Sequence, residues 1–129
     1  MPSPNYPPSA RLRRDAEFKR VLINGRIYPG RECLVRLLPN DTGQARLGIG
    51  SPRRYGNAVR RNRFRRLVRE AFRRLRPELD ALDVLVTPRK GLVHPTLEGL
   101  VRDLQDAPRL AHTARPFKRR ERGSKKGRA

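Results

Sequence analysis

The chain has 129 residues, 32 Lys and Arg against 12 Asp and Glu, a formal charge of +20 and a pI near 11.8. That length suits one small domain, and that charge asks for a polyanion, nucleic acid first and anionic membrane second. No apolar run approaches the roughly 20 residues a bilayer span needs, the N-terminus has no apolar signal core, and the single Cys33 excludes an internal disulfide, so a cytoplasmic protein is expected.

Residues 1–9 hold four Pro and little apolar material, which predicts an irregular N-terminal segment. Asp15 can cap a short helix in which Phe18, Val21 and Leu22 share one side, and Asn24-Gly25 supplies its stop. Arg26 to Tyr28 reads as a short extended piece. Glu32 to Leu38 reads as a better strand, with Cys33 a buried thiol in it, closed by the turn-rich Pro39-Asn40-Asp41-Thr42-Gly43. Ala45 to Gly50 is then expected to return as the hairpin partner of that strand, ending before Pro52.

A long helix follows. Phe64, Leu67, Val68, Ala71, Phe72 and Leu75 fall at i, i+3, i+4, i+7, i+8 and i+11, one apolar stripe that must be buried. At about 100° per residue, Asn62, Arg65, Arg66, Arg69, Arg73 and Arg76 project on the opposite side. Gly56-Asn57 suits the helix entry and Pro77 its end. Between Arg53 and Arg76 there are eleven Arg against one Glu, a net +10 in 24 residues. Solvated helix faces normally mix signs, because like charges at i,i+4 repel; Arg65 with Arg69 and Arg69 with Arg73 are such pairs, and bound phosphate reverses their penalty.

Asp83 to Thr87 is a short apolar run suited to a buried strand, and Leu97, Leu100, Val101 and Leu104 mark a last helix between Pro95 and Pro108. The order helix, two or three strands, helix, strand, helix predicts an α/β (α+β) two-layer sandwich with a small mixed sheet. The expected organisation is an irregular segment at 1–9, one domain at 10–112 and a basic tail at 113–129, the last with net +7 from Arg115 onward.

The twelve acidic residues are scattered, and His94 and His112 have no acid/base or metal-ligand partner in the sequence, so no catalytic and no metal-ligating residue is assigned. A small basic ribosomal protein shares this build. A major-groove DNA reader fits less well, since it varies donors and acceptors where this surface offers almost only arginine.

Gly56-Asn57-Ala58-Val59, Arg61-Asn62-Arg63 and Arg66-Leu67-Val68-Arg69-Glu70-Ala71-Phe72-Arg73 together resemble the signature of the bacterial ribonuclease P protein family. Leu12 to Phe18 with Gly25 resembles that family's first helix, and Asp83 to Lys90 its last strand and the basic loop after it, so the resemblance spans about residues 10–107. It implies a subunit of a ribonucleoprotein endoribonuclease that binds a catalytic RNA and the 5′ leader of precursor tRNA, one protein per RNA. The chemistry would belong to the RNA, and magnesium would be held mainly by it. It also implies a left-handed strand-helix-strand crossover. By position, Arg53, Arg54, Asn57, Arg61, Asn62, Arg63, Arg65, Arg66, Arg69 and Arg73 would meet the catalytic RNA. Arg14, Phe18, Leu22, Arg36, Gly50, Ser51, Arg89 and Lys90 would line a leader cleft between the first helix and the sheet. The family often has further aromatics where this chain has Leu22 and Arg36, so stacking on the leader is expected to be weaker here.

Overall fold

Three helices and four strands follow in the expected order: α1 (Asp15–Asn24), β1 (Arg26–Pro29), β2 (Cys33–Pro39), β3 (Arg46–Ile49), α2 (Ala58–Leu75), β4 (Leu82–Pro88) and α3 (Leu97–Leu110). This computed structural model describes residues 10–12 and 14–112; the expected N-terminal segment and basic tail lie outside the described residues.

The strand pairing corrects the expected hairpin. The sheet order is β1-β2-β4-β3, so the hairpin joins β1 to β2, and β4 inserts between β2 and β3. β4 runs antiparallel to β2 and parallel to β3, with Val35 opposite Val86 on one side and Leu47 beside Val84 on the other. The cause is burial on both faces. Leu82 to Val86 are all buried, and a strand without a solvated face belongs in the middle of a sheet. The 39–45 turn therefore crosses over the end of β4; Asn40 reaches it by donating its backbone N–H to Ala81 O at 3.0 Å.

Side chains alternate across the sheet and divide the core in two. Cys33, Val35, Leu37, Leu47, Val84 and Val86 point to α2 and α3, where Phe64, Val68, Phe72, Leu100 and Leu104 complete the main cluster. On the other face, Leu85 packs with Leu12 and Val21, and Phe18, Leu22 and Leu38 flank them. The sheet with α2 and α3 forms the expected sandwich, and α1 covers part of the opposite side. Phe64 and Phe72 are fully buried, each contributing on the order of 1.5–3 kcal/mol of transfer free energy.

Two polar anchors tie the layers. Asp103 on α3 is buried and accepts from the backbone N–H groups of Arg31, Glu32 and Cys33 at 3.1, 2.8 and 3.1 Å, fastening the β1–β2 turn. A Cβ at Gly30 would collide with that carboxylate, which explains the glycine. On the other face, buried Asp83 accepts from Arg46 Nε and from Asn40 Nδ2, both at 2.8 Å, while Arg46 reaches Glu17 of α1 at 3.1 Å.

Two helix ends differ from expectation. Asp15 is the first residue of α1 rather than its cap; Glu17 reaches back to accept from the Arg14 N–H at 3.1 Å. Pro108 lies inside α3, which continues to Leu110, because a proline this late removes only one bond of the last turn and Ala107 keeps that turn buried.

Candidate nucleic-acid interface

Helix α2 starts where Asn57 Oδ1 accepts from the Arg60 N–H at 3.0 Å, and it ends in a short 3-10 turn at Arg76–Glu78 as Pro77 stops it. Phe64, Val68, Ala71, Phe72 and Leu75 are buried and Leu67 half-buried, so the apolar stripe faces the sheet as the spacing predicts. The rest of the helix surface is mostly arginine, with Asn62, Glu70 and the exposed Val59 among it.

These arginines divide by what holds them. Arg65 is half-buried and donates to Ile49 O and Ser51 Oγ, both at 3.4 Å, so it is tethered to the end of β3 rather than projecting freely. Glu70 pairs with Arg73 and, at 3.7 Å, with Arg74; Arg76 donates to Gln44. Among the described residues, Arg53, Arg54, Arg61, Arg63 and Arg66 have no ion pair with a carboxylate. Asn57, Asn62, Arg63 and Arg66 are exposed, and Arg61 is half-buried with its Nε enclosed and lacking a hydrogen-bond partner. Arg63 and Arg66, exposed and about one turn apart on a packed helix, with Arg53 and Arg54 in the turn before it, form a template for phosphates spaced along a nucleic-acid backbone.

A groove of about 380 Å³ runs along the β3 edge, where Arg11, Leu12, Phe18 and Gly48 meet Arg65 and Arg69 of α2. A chain segment at Arg11–Leu12 pads that edge, with the Leu12 N–H donating to Leu47 O at 2.9 Å. A Cβ at Gly48 would lie 2.6 Å from Phe18 Cε1, so the missing side chain is what lets the ring rest on the sheet. Phe18 thus packs on the second core with part of its ring turned to the groove, and the two expected surfaces meet here.

The other leader-cleft candidates do not line this groove. Leu22 packs against the second core and Arg14 is exposed at the start of α1. Arg36 is half-buried on the α1 side of β2; its Nε has no hydrogen-bond partner, and burial lowers the guanidinium pKa. Gly50 sits against the Thr87 methyl, and Ser51 receives the Arg65 bond. Arg89 and Lys90 are exposed in the loop after β4, where they border a cavity with Arg54 and Arg60 and not the groove of Phe18.

Arg60 and Tyr55 were not among the expected site residues. The Arg60 guanidinium carbon lies 5.0 Å from the Tyr55 ring centroid, and its Nη2 donates to Leu92 O at 2.9 Å. The signal was present, because Arg60 lies one turn before Phe64 on the packed side of the helix, where an arginine must find partners within the protein.

Cys33 is fully buried, and its thiol pKa is pushed up by desolvation and then by the Asp103 carboxylate. Among the described residues no three His, Cys, Asp or Glu side chains come together as a metal site, and no helix is long and apolar enough to cross a membrane.

A small α+β fold that buries one side of its central helix and arms the other with arginines of one sign defines a protein built to hold a polyanion. The chain belongs to the ribonuclease P family, whose model matches residues 6–111. It is similar to the ribonuclease P protein component of Chlamydia trachomatis serovar L2, 35% identical over 114 residues that cover 84% of this chain and 94% of the relative. It is also similar to that of Marinobacter nauticus, 40% identical over 89 residues covering 67% of each. Among solved structures, the Staphylococcus aureus RNase P protein superposes with a TM-score of 0.69 at 28% identity, covering 78% of this chain and 93% of that one. The Thermotoga maritima RNase P protein, in complex with 1-(4-fluorophenyl)-2-thiourea, gives 0.67 at 31% identity, covering 74% and 94%. The family is that of the protein component of an endoribonuclease complex, and its partner in that complex is RNA.

Proposed function

We propose that this chain is the protein subunit of a cytoplasmic ribonuclease P ribonucleoprotein. It binds the catalytic RNA and the 5′ leader of precursor tRNA and so promotes endonucleolytic maturation of tRNA 5′ ends. The observation that carries this reading is the set Arg53, Arg54, Arg61, Arg63 and Arg66, unpaired with any described carboxylate and mounted on or beside a helix whose other side is buried. Asn57 and Asn62 add amide contacts on the same surface, Arg65 and Arg69 extend it toward the β3 edge, and Arg73, paired with Glu70, adds charge further along the helix.

The groove that joins Arg65 and Arg69 to Phe18 suits a single strand: guanidinium groups neutralise its phosphates, and the exposed part of the Phe18 ring stacks on an unpaired base for roughly 1–3 kcal/mol. Arg36, half-buried without a described ion pair, and Arg14 supply further positive charge near α1. The hydrolytic step is assigned to the RNA, and this chain acts by positioning and by charge neutralisation. Magnesium is assigned mainly to RNA phosphates. The described side chains do not converge into a site for it, so no step is routed through a metal on this chain.

Binding measurements test the reading. The full chain is expected to bind ribonuclease P RNA and to raise that RNA's affinity for precursor tRNA more than for mature tRNA. Equal gains for both would contradict a leader groove, and failure to bind the RNA at all would contradict the assignment.

A further inference from the structure

Away from the groove of Phe18, the turn at Arg53–Tyr55 and the loop at 88–93 enclose a cavity of about 520 Å³, within the range of pockets that hold small ligands. Its lining combines two chemistries. Arg54, Arg60, Arg89 and Lys90 supply four cations, and Tyr55 with Leu92 supplies apolar wall; among the described lining residues there is no Asp or Glu. Arg54, Arg89 and Lys90 are exposed and pair with no described carboxylate. Tyr55 and Arg60 are fixed. The ring packs edge-on against Phe64 at 5.6 Å and 60°, while Arg60 covers it and bonds to Leu92 O, leaving its enclosed Nε with no hydrogen-bond partner.

We propose that this cavity is a seat for one unstacked nucleotide of the RNA bound to this protein. The base lies against the Tyr55 and Leu92 wall, and the adjoining phosphates lie among Arg54, Arg89 and Lys90. Cations alone would suit any phosphate, and an apolar wall alone any greasy group; a flat ring carrying phosphate satisfies both within one cavity. RNA is the occupant because the site is continuous with the arginine surface: Arg60 belongs to α2 and immediately precedes Arg61-Asn62-Arg63. The inference rests on the RNA-binding reading above and adds to it a contact that reads a base rather than a backbone.

The test has two arms. In the first, the 15N-labelled full chain is titrated with adenosine 5′-monophosphate and with ribose 5-phosphate. The Tyr55, Gly91 and Leu92 amides are expected to shift and saturate with the nucleotide, and ribose 5-phosphate to bind about tenfold more weakly. Tyr55→Leu, which keeps bulk against Phe64, should erase that difference, and the surface pair Arg89→Glu with Lys90→Glu should weaken both ligands without touching the core. Equal affinity for the two ligands, or shifts scattered over all arginines, would overturn the seat. In the second arm the same variants are bound to ribonuclease P RNA, where each should lose about tenfold in affinity while the preference for leader-bearing tRNA persists. Variants that bind this RNA like the parent chain overturn the seat and leave the proposed function standing. A parent chain that binds adenosine monophosphate but not this RNA overturns the function instead.

Discussion

Replacing Arg61, Arg63 and Arg66 together by Ala isolates the electrostatic claim from the fold. None of the three pairs with a described carboxylate, and their neighbours on the helix are mostly arginine. If Arg53, Arg54, Arg61, Arg63 and Arg66 each neutralise one phosphate, the logarithm of affinity should fall against the logarithm of salt with a slope of about −4 to −5, at about 0.9 per phosphate. From about 50 to 200 mM salt, binding would weaken by roughly 500-fold. With Arg53 and Arg54 alone left of that set, the slope should flatten to about −2 and the same salt step should cost only about tenfold. Ala is the best helix former, and removing like charges relieves repulsion, so the melting temperature should hold or rise. Filter binding across a salt series, with far-UV circular dichroism of the variant, reads both quantities. An unchanged slope would refute the phosphate role of these side chains, and a lost helix signal would refute the claim that the fold does not depend on them.

Other consequences are equally open to measurement. Asp103→Ala leaves three backbone N–H groups of the β1–β2 turn without their acceptor and should cost about 3–5 kcal/mol in denaturant titrations; a loss below about 1 kcal/mol would mean water replaces the carboxylate freely. Cys33 should resist alkylation at pH 8 in the native protein and react once unfolded. Because its folded pKa is raised, the thiol's contribution to stability is complete below the ordinary thiol value and declines as pH rises above it. Native-state labelling as fast as in denaturant would contradict that burial. Phe18→Ala should reduce the preference for leader-bearing over mature tRNA more than it reduces affinity for the catalytic RNA; equal losses would assign the ring wholly to the second core.

What could be read from the residues was local. The stripe from Phe64 to Leu75 is a property of 3.6-residue spacing, and it appears in the structure with the burial it requires. Strand pairing is not local. The Glu32 to Leu38 and Ala45 to Gly50 segments look like a hairpin because they are close in sequence, but Val84-Leu85-Val86 lacks a polar face and so claims the central position between them. Register then decides which residues share a face: Arg36 comes to α1's side because it alternates with Val35 and Leu37. The arginines show the same limit. Helical angle places Arg65 outward, yet the end of β3 curls beside α2 and captures it through Ile49 O and Ser51. Helical angle also separates Arg60 from the outer set, but its pairing with Tyr55 depends on a turn whose path spacing does not encode.

If the arginine helix serves a catalytic RNA, cleavage must depend on it. Cleavage of precursor tRNA by ribonuclease P RNA at low magnesium, with and without the purified chain, tests it most directly. The chain is expected to restore cleavage at the mature 5′ end, and the Arg61, Arg63 and Arg66 triple variant to do so far less well. A chain that leaves the rate unchanged, or a variant that matches the parent, would contradict that dependence.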